Sequence, residues 1–454
     1  MSSPSAPHSL RATPIAAARA SRTASLLAAL ALPSLALAIP LDPDREVPMG
    51  AGPTDAPQAE TTALAVPSLE MQTWFTAFNQ TVSPVANPAG YGNPDHRIGF
   101  SLPRARFGFL GGHKGIDYNL RFGTNTRYDA LSAADDRIGV VAAWVRARAN
   151  SAAGTTFFTV GAHQVPFSRE MQISANDLVF QEVGVNTNYL SPNRDFGASV
   201  RHVYNFFSIA TGIYNGNGTQ LGDVDDGMLY AVRTDFSVGG DTYRTNSSQD
   251  AFGFGAAYIY HQTIALIEHR ANVDLLARFK GLTLMAEVNY AVLDPDREPT
   301  ILPPGVPVNT QRLGGLVQLS YYKRLPIGAI EPAVRFSMYD DATHLRDNGD
   351  VGILHAGVSW REPLPFVDVG VGYIHRMELA GRAVPNDTLR MWFGMRYPSR
   401  NYRPIDVVAA LKALGEGKPG ADEGLPTLSS PDPDRETPVG EPPAEAPAEL
   451  PSED

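Results

Sequence analysis

Twenty-five arginines but only three lysines (Lys114, Lys280, Lys323) lie within residues 72–397 of this 454-residue chain. Their spacing is more telling than their number. Arg104, Arg106, Arg121, Arg146, Arg201, Arg270, Arg278, Arg312, Arg335, Arg390 and Arg396 all fall on the polar phase of a two-residue alternation. A guanidinium presents a planar fork that fits phosphate or carboxylate oxygens, so the chemistry on offer is reversible ion pairing. Asp117, Asp195, Asp274, Glu287, Glu331 and Asp368 share that phase. Two outcomes stay open: the arginines attract passing anions, or they pair with these carboxylates and neutralise the face.

Nothing in the chain points to covalent chemistry. There is no G-x-S-x-G, H-E-x-x-H or P-loop, and "GFGAAY" lacks the third glycine of a dinucleotide loop. Ten histidines are scattered; His163, His202 and His355 sit in strand-like runs and read as wall or interface residues rather than ligands. With no cysteine, disulfide frameworks and thiolate metal or redox sites are excluded. "DVDDG" (223–227) and "DDATHLRDNGD" (340–350) cluster carboxylates that could hold Ca²⁺, although solvated surface acid is the plainer reading. The sequence therefore assigns no catalytic residue, metal or cofactor, and the protein reads as a non-enzyme.

The elements that must position these arginines are strands. "LTLMAEVNYA" places Leu282, Leu284, Ala286, Val288 and Tyr290 on one face, with Thr283, Glu287 and Asn289 on the other. "RANVDLLARF" sets Ala271, Val273, Leu275, Ala277 and Phe279 against Arg270, Asn272, Asp274 and Arg278. Period two sustained over ten or so residues means a strand with one apolar and one polar face. Sixteen such segments run from about 72–82 to 388–397. The gaps after even-numbered segments are mostly short, as in "GGHK", "NSAAGT" and "KG"; those after odd-numbered ones are longer and polar. The connection 239–250 is the exception, long where a short turn is expected.

An even strand count with short turns at one end and long loops at the other is the pattern of an outer-membrane barrel. In hydrocarbon every backbone polar group must be paired, and a closed barrel does this without an edge. The fold expected is all-β, a sixteen-stranded antiparallel transmembrane β-barrel over residues 72–397. The final run, "LRMWFGMRY", ends in an aromatic, as the terminal strand of such barrels does. No stretch of about 18 uncharged apolar residues follows the N-terminal segment, so helical membrane spans are not expected.

The ends differ from the middle. Arg11, Arg19 and Arg22 precede "ASLLAALALPSLALA", which closes on Ala36-Leu37-Ala38: a basic region, a short apolar core and a small-residue end, read as a signal peptide over residues 1–38. The chain carries a formal charge of −11. Residues 39–71 and 398–454 are acidic and rich in Pro and Ala, and read as disordered N- and C-terminal extensions, a linker and a periplasmic tail. The remaining core is near neutral with no basic stripe, which argues against nucleic acid. Asp-Pro-Asp-Arg-Glu recurs at 42–46, 294–298 and 432–436, and "IDVVAALKAL" (405–414) has the pattern of a short amphipathic helix. The two tail copies are candidates to bind a common periplasmic partner.

One stretch breaks the alternation. "GAHQVPFSRE" (161–170) ends a clean strand with Pro166, which removes a ladder donor, and the next strand begins only near Asp195. A gap that long is disorder, a misassigned strand boundary or a loop with a role. Val165-Pro166-Phe167-Ser168-Arg169-Glu170, Pro192-Asn193-Arg194-Asp195 with Gly197, and Gly212-Ile213-Tyr214-Asn215-Gly216 together resemble the phosphate-selective porin O/P family of Gram-negative outer membranes. "SLPRARFGFLGG" followed by "IDYNLRFG" is similar to that family's early strand pair.

The resemblance implies a homotrimer of barrels in outer-membrane lipid and passive diffusion of small hydrophilic solutes, with a preference for anions or phosphate. It also implies that the connection after the fifth strand folds inward as a constriction, with Arg169, Glu170, Asp177, Glu182 and Arg194 supplying polar groups at the eyelet. The alternative for that connection is an outward surface loop. The family's phosphate selectivity also draws on lumen lysines, and this chain has few. The rival function from another class is a structural barrel that anchors the envelope through its periplasmic tail.

Overall fold

The computed structural model describes residues 66–80, 98–113, 115–125, 138–218, 227–263, 266–295, 309–346, 350–364, 366–380 and 386–397. The expected signal peptide, the tail with its 405–414 segment, most of the linker and the tail copies of Asp-Pro-Asp-Arg-Glu lie outside these residues, as does nearly all of "DVDDG".

Sixteen antiparallel strands close on themselves. They are β1 (Val66–Gln80), β2 (Gly99–His113), β3 (Ile116–Asn125), β4 (Gly139–Ser151), β5 (Gly154–Gln164), β6 (Arg194–Tyr204), β7 (Phe207–Tyr214) and β8 (Met228–Gly239). There follow β9 (Ala251–Gln262), β10 (Leu266–Phe279), β11 (Leu282–Pro295), β12 (Thr310–Tyr321), β13 (Ala329–Asp340), β14 (Val351–Leu364), β15 (Val367–Glu378) and β16 (Asn386–Tyr397). A two-residue piece, Lys323–Arg324, prolongs β12 and pairs with the start of β13. Each strand pairs with its chain neighbours, and β1 closes the cylinder against β16 from Leu69↔Tyr397 to Gln80↔Asn386. Closure leaves no edge with unpaired backbone groups, the condition for crossing hydrocarbon with strands.

β1 starts at Val66, earlier than the 72 read from the sequence, so the linker ends sooner. Its acidic, Pro-containing start masked a real alternation: Glu70, Gln72, Trp74 and Thr76 face inward and are buried, with Glu70 opposite Arg106 of β2.

Burial runs opposite to that of a water-soluble core. On β8, Leu229, Ala231, Arg233, Asp235 and Ser237 are buried, while Met228, Tyr230, Val232, Phe236 and Val238 are exposed. The exposed face is the apolar one, which suits contact with lipid, and the buried face carries the charge. Short turns are made by residues that tolerate a left-handed backbone. Phe279↔Leu282 closes over Lys280 and Gly281, at φ 48° and 85°, and Tyr204↔Phe207 closes with Asn205 at φ 49°.

Between β5 and β6 the chain leaves the wall and crosses the interior. It carries two short helices, α1 (Arg169–Gln172) and α2 (Val185–Leu190). Four small apolar clusters seat it: Val165 and Phe167 on Tyr214, Leu229 and Ile259; Ile173 and Leu178 on Tyr243, Met285 and Leu316; Val179 and Phe180 on Trp74 and Trp392; Val185 and Leu190 on Tyr339, Ile353 and Ile374. The inward-facing apolar residues of β1, β7–β9 and β11–β16 named here are the footprint of this segment.

Candidate functional site

The inward segment is held chiefly through its backbone. Its carbonyls are removed from water and must find donors elsewhere. Wall arginines supply them. Arg361 of β14 donates to the carbonyls of Asn176 (2.8 Å), Asp177 (3.3 Å) and Leu178 (2.8 Å) while its Nε holds Glu331 at 3.0 Å. Arg335 donates to Glu182 O (2.8 Å), Arg104 to Gln181 O (2.9 Å), Arg270 to Leu190 O (3.1 Å), and Arg233 to Phe167 O. A guanidinium has five N–H groups in a fixed fork and can serve a carboxylate and a carbonyl at once, which a lysine ammonium on a flexible stem does poorly. The near-absence of lysine on this face follows.

At the start of the segment lies a sealed charge cluster. Arg169 Nε meets Asp274 Oδ1 at 2.6 Å and its Nη2 meets Asp235 Oδ1 at 3.2 Å; Arg233 meets Asp274 at 2.7 Å and Asp235 at 2.6 Å. All four side chains are fully buried, two cations against two anions. Tyr243 donates its hydroxyl to Asp235 at 2.9 Å. Burial pushes that phenol up to about 12, so it remains a neutral donor. Room for the cluster comes from Gly255 of β9. A Cβ there would lie 2.2 Å from Arg233 Nη2 and 2.7 Å from Asp274 Oδ1.

The next turn is tied by Glu170. Its Oε1 meets Arg335 at 3.1 Å and its Oε2 accepts the Gly184 N–H at 2.9 Å, joining α1 to the residue that precedes α2. Burial raises the Glu170 carboxyl above the usual range, against the pull of Arg335 and the Gly184 N–H. Further on, Phe180 stacks on His355 with ring centroids 3.7 Å apart and lies 5.0 Å below the Arg335 guanidinium. Glu182 meets Arg390 at 2.5 Å, and Arg390 in turn stacks on Trp74.

Several expectations are corrected here. Arg169 and Glu170, which the resemblance puts among the polar groups of the eyelet, are fully buried and bonded to the wall, because the segment presses its charged start against β8, β10 and β13. Arg194 belongs to the wall rather than the segment: it opens β6 directly opposite Gln164, where the ladder resumes. Asp177 and Glu182 lie in the segment, and Asp177 is buried with its Oδ1 taking the Asn246 side chain at 3.2 Å.

Of the wall residues read from the sequence, Arg270, Arg278, Arg312 and Arg335 alternate with lipid-facing neighbours on β10, β12 and β13, and Arg201 meets Gln172 of the segment at 3.2 Å. Sequence reasoning missed Arg233, Arg361 and Arg148. The first two carry the correct phase, but in "LYAVRTDF" and "HAGVSWRE" apolar or small company hid them. Of those companions, Leu229 and Ala231 lie in the cluster under Val165 and Phe167.

A different arrangement covers β1–β4. Arg104 and Arg106 of β2, Arg121 of β3, and Arg146 and Arg148 of β4 share the inward face with two carboxylates, Glu70 and Asp117. Glu70 lies 3.3 Å from Arg106 and 3.7 Å from Arg121; Asp117 lies 3.0 Å from Arg146 and 3.5 Å from Arg148. Each acid is shared between two arginines, and Arg104 bonds the neutral Gln72 side chain at 2.8 Å. Arg146 and Arg148 also lie over Phe157, at 5.4 and 5.8 Å from its ring centre. The strip descends from Arg104 through Arg106 and Arg121 to Arg148 beside the short turn at Gly154.

A closed cylinder with a lipid-compatible exterior and a charged interior crossed by an inward segment is the geometry of a channel. Residues 85–258 match the family model described as phosphate-selective porin O and P. Over these residues the chain is similar to outer-membrane porins, and its function is that of a passive outer-membrane channel. The match spans β2 to β9 and includes the whole inward segment. No curated protein matches the chain. Solved structures similar to this chain include a loop-deletion mutant of OmpT from Vibrio cholerae (10% identity, 74% of this chain and 99% of that one, TM-score 0.48). OmpF of Salmonella typhi in complex with daunomycin (12%, 74% and 100%, 0.47) and an anion-selective porin from Comamonas acidovorans (10%, 74% and 100%, 0.46) are also similar.

Proposed function

We propose that this porin passes small anions, among them phosphate, and that they travel along the β1–β4 strip. The observation that carries the reading is the imbalance on that strip: five arginines against two carboxylates. Charged rows lining a water-filled path set which ions enter, and sharing one carboxylate between two guanidiniums leaves a net positive field. Short turns face the periplasm in barrels of this kind, so the strip leads from the level of Arg104 toward the periplasmic mouth. Where Arg104 donates to Gln181 O, the segment reaches across to this wall, and this contact marks the narrowest level. Arg169, Glu170, Asp177 and Glu182 hold the segment in place; the strip does the selecting. The working unit is a homotrimer, and no covalent step is involved.

The test is single-channel current in a planar bilayer under a KCl gradient, followed by added phosphate. Stepwise conductance with an anion-signed reversal potential, reduced when phosphate is added, is expected. A folded barrel that passes no current would overturn the channel reading and favour an envelope anchor. Crosslinking of the detergent-extracted protein, expected to stop at three copies, tests the trimer.

A further inference from the structure

The eleven-residue connection between β8 and β9, residues 240–250, is longer than the barrel needs. The β8–β9 ladder ends with Gly239 directly opposite Ala251, a spacing that two residues can close, as Lys280 and Gly281 do between β10 and β11. Instead residues 240–250 turn back into the lumen from the short-turn end. Thr242 and Thr245 are fully buried and Tyr243 nearly so. Gly253 of β9 leaves room for this, since a Cβ there would lie 2.8 Å from Thr242 Cβ.

Two sets of contacts fix the connection. Arg278 of β10 donates to the carbonyls of Asp241 (2.7 Å), Arg244 (2.6 Å) and Gln249, so one wall guanidinium carries its backbone as Arg361 carries that of the first segment. The connection then grips the first segment. Arg169 donates to Thr242 O at 3.0 Å and lies over the Tyr243 ring; Thr245 donates to Asp177 O at 3.0 Å, and Asn246 to Asp177 Oδ1 at 3.2 Å.

We infer that residues 240–250 are the second half of the constriction: a specificity-determining piece that enters from the periplasmic end, sets the depth of Asp177, and narrows the lumen. This rests on the reading of the barrel as a channel. The piece carries Asp241 and Asp250 against Arg244, and it occupies Arg278. Removing it therefore widens the path, takes away net negative charge, and releases a guanidinium into the lumen.

The test replaces residues 240–250 with Asn-Gly and compares purified, heat-modifiable barrels in the planar bilayer. Unit conductance is expected to rise at least twofold and the reversal potential to move further to the anion side. A second variant, Arg278→Gln, keeps the connection at full length and removes its three carbonyl ties; its open-channel current is expected to become noisier and larger. If wild type conducts and both variants match it in unit current, noise and reversal potential, the inference is overturned and the channel reading stands. If wild type itself passes no current, both fall together.

Discussion

Two walls of one lumen use arginine in opposite ways. On β8–β16 the guanidiniums are consumed: Arg233, Arg335 and Arg361 each satisfy carboxylates and segment carbonyls together, and the first and last are fully buried. On β2–β4 they outnumber their acids, and Arg148 keeps about a third of its side chain exposed. Residue type and strand phase are the same in both places. The role is set by what stands opposite: an inward segment whose carbonyls take the guanidiniums, or two carboxylates shared among the arginines of the strip. A count of lumen arginines therefore overstates the anion-attracting charge, and among the described residues the surplus lies on the β1–β4 strip.

The contrast can be broken most sharply at Arg233. Arg233→Met leaves Asp235 and Asp274 buried with a single partner cation, Arg169. Loss of one partner from a buried pair costs about 3–5 kcal/mol. Thermal unfolding followed by the shift of the folded band on gels should drop markedly; an unchanged midpoint would mean that the cluster is wet rather than sealed. Arg361→Lys is the next largest. A lysine cannot hold Glu331 and three carbonyls together, so about 1–3 kcal/mol should be lost through groups left unpaired. Surviving channels should fluctuate more as residues 176–178 loosen.

On the other wall the expectation reverses. Arg148→Gln leaves Asp117 paired with Arg146, so stability should stay within ~0.5 kcal/mol of wild type. The reversal potential should nevertheless move toward cations, and a selectivity indifferent to this change would remove the strip from the proposed path.

The smallest effect is at Glu170, whose carboxyl burial has raised. Between its ordinary range and the raised one, the folded protein binds more protons than the unfolded chain, so this group's contribution to stability grows as pH falls. Wild type should gain on Glu170→Gln as melting is repeated from pH 7 toward pH 5. A gap that widens in the other direction would show that Arg335 dominates burial.

Most of the barrel was legible because period two is local: Leu282 and Thr283 declare their faces within one strand. Pro166 marked where the strand ends and the resemblance implied the inward direction, but the attachments of the segment could not be read. Arg361 reaches carbonyls more than 180 positions away, and no local pattern encodes that pairing. A usable signal was nevertheless present in Tyr214, Leu229, Ile259, Met285, Leu316, Ile353 and Trp392. Each is apolar on a phase otherwise polar, and together they trace the segment's footprint. The length of 239–250 was visible too, as an exception to the turn rule with no assigned role.

The carbonyl ties of Arg361 bear on the order in which the molecule comes together. The donor sits on β14, near the end of the chain, while Asn176, Asp177 and Leu178 precede β6. Until the last strands arrive and β16 meets β1, the middle of the segment lacks its Arg361 ties, and the interior has no set width. Narrowing of the passage is thus a late event that coincides with closure, and a chain stalled short of completion would leave the envelope with a wide, unselective hole rather than a slightly defective filter.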